Sequence, residues 1–282
     1  RGGLTITTTL DMSKQAAADA AVQEYVPTGD PSNVKAALSS VEPGTGRIVA
    51  MSQNTNYGLA TEEDSSTTQI SFSADASHGG LENTDGTSGF QPGSTFKAFV
   101  LAEWYQEGHS GYETMNTSPA TFGPSSWRIS CDPSKADTWT VGNANASEGG
   151  THNVIQNTAM SINVGFARMT QQMDICDITR MAANLGVTTN SGQALTPTPS
   201  IALGSQEVTP LQMASAYATF AAHGVYCRPI AIDSITDADG KPTEVPSAGC
   251  TQAMDGTAAD KTAQTLTHVL SDKTGTGKDV PL

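Results

Sequence analysis

The sequence predicts an α+β fold, and the order of its segments is the reason. A turn sequence flanked by β-branched residues lies near the front of the chain, which is typical of a β-hairpin. Helical spacing of apolar residues dominates the middle of the chain from residue 96 onward. Because strands and helices are segregated rather than alternating, we expect a sheet with a helical subdomain and no βαβ units.

Composition and charge exclude several classes of protein. The 282 residues are 37% hydrophobic and 15% charged, which suits one large or two small globular domains. A net charge of −14 has the wrong sign for binding phosphate backbones, so we expect no nucleic-acid partner. No apolar run approaches the roughly 20 residues of a membrane span. Since the chain opens at Arg1 without Met or a signal segment, we expect a longer protein with a membrane anchor upstream of Arg1.

The cysteines indicate disulfides rather than a metal site. Cys131, Cys176, Cys227 and Cys250 have no metal-ligand spacing among themselves or with a histidine, so we predict no metal and no cofactor. Four cysteines allow three connectivities, and buried free thiols are the alternative. Cys227 and Cys250 flank a predicted hairpin whose strands bring them together. We therefore predict the pair Cys227–Cys250 and, by elimination, Cys131–Cys176.

Apolar spacing and turn residues predict the individual elements. Asp11 is the predicted N-cap of the first helix, which ends before Pro27. Residues 52–90 and 111–150 are polar or rich in glycine, and we interpret them as loops. The predicted hairpins pair 34–41 with 47–51 and 230–236 with 243–245. The predicted helices cover residues 11–23, 96–108, 154–160, 164–173, 178–185, 211–220 and 258–272.

Ser94 and Lys97 form the first motif that suggests chemistry. Ser94 follows Pro92 and Gly93 at the start of a helix whose apolar residues occupy more than one face, so the helix is predicted to be buried. Lys97 lies one turn later on the same face. A buried lysine has a lowered pKa and can then take the proton of a serine nucleophile. The alternative is a plain helix cap and a surface lysine, and the same S-x-x-K pattern recurs at residues 32–35.

Ser161 and Asn163 form the second motif, between two short predicted helices. Residues two apart do not share a helix face, so a turn is needed for both side chains to enter one cleft. There the Ser161 hydroxyl would relay a proton between Lys97 and a leaving amine, and the Asn163 amide would hold Lys97 and a substrate carbonyl. The alternative is ordinary helix capping, and S-x-N also occurs at residues 52–54.

These motifs, in this order, resemble those of the penicillin-binding proteins and serine β-lactamases. The chain is most similar to the transpeptidase domain of class A, bifunctional penicillin-binding proteins of actinobacterial type. The resemblance spans nearly the whole chain and is carried by residues 3–6, 9–11, 42–46, 90–97, 202–204 and 208–213. It implies that residues 1–33 are a linker with an N-terminal helix and that 34–282 are the transpeptidase domain.

The resemblance also implies a fold and a reaction. The fold is a five-stranded antiparallel sheet with helices and a helical subdomain, and the active site lies at their junction. Ser94 is then the nucleophile that attacks a D-Ala carbonyl of a peptidoglycan stem peptide, and Lys97, Ser161 and Asn163 complete the catalytic set. The acyl group passes to an amine of a neighbouring stem. β-Lactam antibiotics acylate the same serine, and the domain is expected to be extracytoplasmic.

The third family motif, K-T-G, is matched by letter at Lys273-Thr274-Gly275. Its family counterpart lies on a strand, whereas residues 259–270 show the spacing of a helix that leads directly to Lys273. We therefore predict that this K-T-G is a decoy. The true motif and three strands of the sheet are expected beyond Leu282, so the transpeptidase domain is expected to be incomplete here.

Two other functions share these motifs. A serine β-lactamase needs a positioned water and a base for deacylation, but Ile162 stands where class A β-lactamases usually have Asp. A β-lactam sensor or a catalytically idle interaction module is the alternative from a different class. Residues 3–11 resemble the linker that follows a glycosyltransferase domain, which argues against a sensor.

Overall fold

The computed structural model describes residues 3–59, 61 and 66–280, so Arg1, Leu282 and part of the predicted 52–90 loop lie outside it. Helices and mostly antiparallel strands are mixed, and the predicted α+β class is confirmed. The chain forms two compact units. Unit 1 comprises Arg1–Phe90, Thr189–Ser191 and Val208–Thr251, and unit 2 comprises Gln91–Thr188, Gly192–Glu207 and Gln252–Leu282.

Every predicted helix is found, with ends displaced by a few residues. Asp11 caps the first helix as predicted, because its carboxylate accepts hydrogen bonds from the backbone N–H groups of Ser13 and Lys14. Among the described residues, none of the helices is both long and apolar enough to cross a bilayer. The helices are α1 (Met12–Tyr25), α2 (Lys97–Gln106), α3 (Val154–Ala159), α4 (Asn163–Thr170), α5 (Ile175–Asn184), α6 (Pro210–Ala221) and α7 (Gly256–Ser271).

The strands are short and form small sheets. The three-stranded sheet has the order β1-β11-β12, and the two-stranded sheets are β2-β3, β4-β5, β6-β9, β7-β8 and β10-β13. Of these pairs, β4-β5 is parallel. The strands are β1 (Thr5–Thr8), β2 (Ala37–Val41), β3 (Ile48–Gln53), β4 (Asn56–Tyr57), β5 (Thr67–Thr68), β6 (Thr114–Asn116), β7 (Ala120–Phe122), β8 (Trp139–Val141), β9 (Thr151–Asn153), β10 (Val225–Tyr226), β11 (Ile232–Thr236), β12 (Pro242–Thr243) and β13 (Thr251–Gln252).

Unit 1 contains both predicted hairpins. β2 and β3 pair antiparallel, with Ala37 opposite Gln53, and α1 packs against β3. The Gln15 side chain joins helix to strand, because its Nε2 donates to the Met51 carbonyl at 2.8 Å and its Oε1 accepts from the Met51 N–H at 3.0 Å. The five-stranded sheet that the resemblance implies is not formed by the described residues, where β2 pairs with β3 alone.

Strand β1 was not among the predicted elements. It pairs antiparallel with β11, with Ile6 opposite Ile235. Its four residues are all exposed, so the alternation of buried and exposed side chains that reveals a strand is absent. The strands inside the predicted 111–150 loop, β6, β7 and β8, were missed for another reason, because three residues are too few to show a periodicity.

Unit 2 is built around helix α2. Its residues from Lys97 to Tyr105 are all buried, as the crowding of apolar residues on several faces predicted. α4, α5 and α7 pack against it, and Trp104 and Phe99 are among its fully buried side chains. The Tyr105 hydroxyl lies 2.7 Å from the Thr265 hydroxyl of α7. A helix packed on this many sides is a rigid support for the residues at its N-terminus.

Both predicted disulfides are present. Cys131 pairs with Cys176 in unit 2, and Cys227 pairs with Cys250 in unit 1. No described cysteine is free. The bridge in unit 2 ties the 111–150 segment to α5, and the bridge in unit 1 closes the ends of the second hairpin. Each bridge contributes on the order of 2–4 kcal/mol to the free energy of unfolding.

Candidate active site

Ser94 lies on the turn that leads into the buried helix. Gly93–Phe96 form one turn of 3-10 helix, and α2 continues directly from it. The Ser94 side chain is exposed, and its hydroxyl makes no hydrogen bond to any other described residue. It is therefore accessible to a substrate. Because catalytic hydrogen bonds often tighten only when substrate is bound, the absence of a bond to Lys97 in this structure does not argue against their cooperation.

Lys97 is buried and surrounded by oxygen acceptors. The residue is 4% exposed. Its Nζ lies 2.7 Å from the Ser161 carbonyl oxygen, 3.1 Å from the Ser161 hydroxyl and 2.7 Å from Oδ1 of Asn163. The three hydrogens of the ammonium group are thus matched by three acceptors. The structure brings three of the four predicted site residues into one hydrogen-bonded cluster, and Ser94 stands one turn before it.

Burial lowers the pKa of Lys97 to about 8, and the Glu148 carboxylate opposes the shift. Removal from water disfavours the charged form of an amine, which is why the pKa falls from its usual value of 10.5. With a pKa of about 8, about a tenth of Lys97 is neutral at pH 7. A neutral amine at this position is able to accept the proton of the Ser94 hydroxyl.

The predicted turn between α3 and α4 directs both motif residues towards Lys97. α3 ends at Ala159 and α4 begins at Asn163. Ser161 has a φ of +54°, in the left-handed region that residues other than glycine rarely adopt. The fully buried Ile162 holds the turn in the core. Backbone strain of this kind costs about 1–3 kcal/mol and is found where packing fixes a functional group in place.

The Ser161 hydroxyl suits a proton relay. Of the three Lys97 partners, the two carbonyl-type oxygens can only accept, whereas a hydroxyl both donates and accepts. When Lys97 loses a proton, the Ser161 hydroxyl can reverse and donate to the amine without moving any heavy atom. Ser161 is therefore the partner that accommodates both protonation states of the lysine.

Asn163 is held from two sides. Its Oδ1 accepts from Lys97, and its Nδ2 donates to the Gly142 carbonyl oxygen at 3.1 Å. The second hydrogen of the amide is not used by any described residue. The bond to Gly142 fixes which end of the amide faces Lys97.

The segment from Gly142 to Glu148 is a part of the site that the sequence analysis interpreted only as a loop. Asn143 Oδ1 accepts from the Val164 N–H at 2.9 Å, which caps the first turn of α4. Glu148 is 7% exposed and acts on the charge of Lys97. These contacts join residues far apart in sequence inside a polar stretch, so no periodicity or motif marks them.

Lys273-Thr274-Gly275 is not on a strand, as predicted. α7 ends at Ser271, and Lys273 and Thr274 are exposed in the turns that follow. Gly275 is buried so closely that an added Cβ would lie 2.3 Å from the Val269 carbonyl oxygen. The next residue, Thr276, donates its N–H to the Ala159 carbonyl at 3.0 Å. Within the described residues, this segment is therefore a packed loop and not the edge of a sheet.

Comparison with known proteins identifies the family of the chain. The family model described as penicillin binding protein transpeptidase domain matches residues 37–281. Penicillin-binding protein 1A of Mycolicibacterium smegmatis is 28% identical over 252 residues, which cover 85% of this chain and 27% of that protein. The chain thus spans about a quarter of the length of this curated relative.

Solved structures show the same fold. The D,D-transpeptidase domain of a peptidoglycan glycosyltransferase from Eggerthella lenta superposes with a TM-score of 0.71 at 23% identity, covering 99% of this chain and 69% of that one. PonA1 of Mycobacterium tuberculosis, solved in complex with penicillin V, has a TM-score of 0.70 at 23% identity, covering 94% and 63%. The fold of this chain is therefore that of penicillin-binding protein transpeptidase domains. This chain belongs to the penicillin-binding protein transpeptidase family.

Proposed function

We propose that this chain is a D,D-transpeptidase domain that cross-links peptidoglycan stem peptides through an acyl-enzyme on Ser94. The observation that carries the proposal is the buried Lys97 with its pKa near 8, held by Ser161 and Asn163 one turn after an accessible serine. The S-x-x-K pattern alone, which also occurs at residues 32–35, does not supply such a cluster. Family membership supports the same reaction class, a serine acyl transfer.

In the proposed reaction, Ser94 Oγ attacks the carbonyl carbon of the penultimate D-Ala as neutral Lys97 takes the hydroxyl proton. The proton then passes from Lys97 through the Ser161 hydroxyl to the nitrogen of the terminal D-Ala, which leaves as its C–N bond breaks. An amine of a second stem peptide attacks the resulting ester. Its proton returns along the same relay, a new amide forms, and the Ser94 hydroxyl is restored.

Membership of the transpeptidase family supports the remaining features that we propose. Stem peptides and β-lactam antibiotics are the proposed ligands, and the domain is proposed to act outside the cytoplasm, joined to the membrane by an anchor upstream of Arg1. Residues 34–282 are proposed as the transpeptidase portion. The catalytic K-T-G is proposed to lie beyond Leu282, since Lys273 occupies a loop.

Labelling with benzylpenicillin tests the proposal. The full-length gene product is expected to gain the mass of one penicilloyl group, and peptide mapping is expected to place it on Ser94. Ser32, which begins the other S-x-x-K pattern, is an internal control because its hydroxyl is bonded to the Asp30 carboxylate. An adduct on Ser32 or Ser161, or no adduct at all, would contradict the proposal.

The lifetime of the adduct and a donor–acceptor assay separate the alternatives. A transpeptidase domain is expected to keep the penicilloyl group for hours and to join stem peptides, whereas a β-lactamase turns the antibiotic over. A sensor or an idle module forms the adduct but joins no peptides. Ile162, where class A β-lactamases usually have Asp, is fully buried and offers no polar group for deacylation.

Gly204 positions the turn that carries Ser94. It has a φ of +72°, and a Cβ added to it would lie 2.2 Å from the Gly93 carbonyl oxygen and 2.6 Å from the Gly93 nitrogen. The Gly93 N–H also donates to the Gly204 carbonyl at 3.3 Å. Any side chain at this position therefore pushes on the backbone directly before Ser94.

Gly204→Ala is expected to lower the second-order rate constant for Ser94 acylation by about 100-fold, since a displacement of about 1 Å has an effect of that size. Gly192→Ala is the matched control. Gly192 has a φ of +76°, but a Cβ added to it would meet nothing within 4 Å, so this variant has the same left-handed strain without the clash. Stopped-flow labelling and melting temperatures measure both. Equal acylation rates in the two variants would refute the positioning role.

A further inference from the structure

Glu148 is a buried carboxylate that takes no part in the proposed reaction steps. It ends a short 3-10 turn, Ala146–Glu148, and is 7% exposed. Its Oε1 accepts from Asn145 Nδ2 at 2.6 Å, and its backbone carbonyl accepts from the Thr117 hydroxyl at 2.8 Å. Its Oε2 is buried and has no hydrogen-bond partner among the described residues. An ionised oxygen in this condition is costly to bury unless a positive charge is near.

The Glu148 carboxylate interacts electrostatically with the Lys97 ammonium. On the other side of Glu148 lies His152, whose Nδ1 is 2.9 Å from the Thr117 hydroxyl that donates to the Glu148 carbonyl. The segment that carries Glu148 lies against the start of α4, where Gly142 accepts from Asn163 and Asn143 accepts from the N–H of Val164. Asn163 is itself bonded to Lys97. The loop 142–148, which carries Glu148, is thus bonded to the start of α4, and the start of α4 is bonded to Lys97. The charges of Glu148 and Lys97 interact.

Among the described residues, the groups that contact the Lys97 amine directly are all neutral. The Ser161 and Asn163 oxygens are dipoles, and the Phe166 ring of α4 lies with its centroid 5.4 Å from Nζ. From α2 itself, the buried Glu103 has no resolved effect on Lys97. Within the part of the chain that the structure describes, Glu148 is the charged group with a resolved effect on the lysine.

We propose that Glu148 is a positioning residue that stabilises the protonated form of Lys97 and so sets the pH at which Ser94 becomes acylated. This rests on the proposed role of Lys97 as the base. Glu148 touches neither the nucleophile nor the substrate and acts only through the charge of the lysine. Desolvation and the Glu148 carboxylate then oppose each other, which leaves the amine able both to accept and to release a proton near neutral pH.

The sign of the effect follows from the protonation state that the reaction needs. Lys97 must be neutral to accept the Ser94 proton, so acylation accelerates as the pH rises through the lysine pKa. Glu148→Gln removes the negative charge, makes the ammonium less stable and lowers that pKa. The acid limb of the pH–rate profile is expected to move down by about one pH unit, with acylation about tenfold faster at pH 6 and an unchanged alkaline plateau.

Three variants make the test specific. Glu148→Asp keeps the charge and is expected to restore the acid limb towards its wild-type position, and Glu148→Ala is a second neutral variant. Burial is outweighed by hydrogen bonds from Ser130 and Cys176, which hold the pKa of Asp174 below its usual value, so this buried carboxylate is charged throughout the tested pH range. Asp174→Asn, which removes that charge, is therefore the matched control. It is expected to leave the acid limb in place. In Glu148→Gln the amide oxygen can still accept from Asn145, so the turn is expected to keep its structure.

The measurements are the rate constant for benzylpenicillin acylation from pH 5 to 10 and the titration of Lys97 by NMR of 13C-labelled lysine. If the acid limb of Glu148→Gln stays at its wild-type position, the inference is wrong. A large fall in the alkaline plateau rate would also contradict it, because that result indicates direct catalysis by Glu148. A longer-lived adduct with an unmoved limb would instead identify a deacylation base. If wild type forms no adduct, the proposed function fails, and the NMR titration still decides whether Glu148 controls the Lys97 pKa.

Discussion

Ser94→Ala should abolish penicilloyl labelling completely, because no other described serine combines an exposed hydroxyl with a buried lysine one turn later. Its removal costs little stability, since the hydroxyl makes no hydrogen bond to another described residue. The melting temperature is therefore expected to stay within a few degrees of wild type while the mass increase disappears.

Ser32→Ala is the matched control for this variant. Ser32 has the same S-x-x-K spacing to Lys35, but the Lys35 amine is bonded to Asn33 and is less buried than Lys97. Labelling of Ser32→Ala is expected to equal that of wild type, measured as the fraction of protein modified with time. Residual labelling of Ser94→Ala at more than a few per cent of the wild-type rate would require another nucleophile.

Lys97→Ala should lower the acylation rate constant by about 10³-fold, within the range of 10²–10⁴ for the loss of a general base. The Ser94 hydroxyl would then have no group to take its proton. The variant also leaves the Asn163 Oδ1 and the Ser161 carbonyl without a donor, which costs about 1–3 kcal/mol of unfolding free energy. We expect a lower melting temperature but a native circular dichroism spectrum.

Chemical rescue distinguishes proton transfer from a structural role of Lys97. A small primary amine supplies the group that the truncated side chain lacks, and its addition is expected to restore part of the acylation rate of Lys97→Ala. The rescue should increase with pH as the added amine becomes neutral. Lys35→Ala is the control and should acylate as wild type does. A variant that keeps its fold and its rate would exclude Lys97 as the base.

The sequence was sufficient to predict the features that depend on residues close together in the chain. The N-cap at Asp11 and the burial of α2 follow from short-range rules, because capping and helical spacing depend on neighbouring residues. The hairpin at residues 42–46 and the loop position of Lys273 follow in the same way. The disulfide pairing could also be predicted, since a hairpin brings together the cysteines that flank it.

Strand β1 and the small strands of the 111–150 segment could not be predicted in this way. β1 has no buried residue, and β6, β7 and β8 are only three residues long. Each strand is defined by its pairing with another segment of the chain, such as β11 for β1. A sheet formed by such strands depends on long-range pairing, which no local window of sequence contains.

Local sequence patterns were enough to predict the fold class, the helices and four candidate site residues, Ser94, Lys97, Ser161 and Asn163. The chemical suitability of these residues depends on contacts that form only in the folded chain. The burial of Lys97 among the oxygens of Ser161 and Asn163 lowers its pKa, and the loop that carries Glu148 places a carboxylate where it opposes that shift. Proton affinity depends on solvent exclusion and on distances between residues far apart in the chain, and these exist only once the chain has folded.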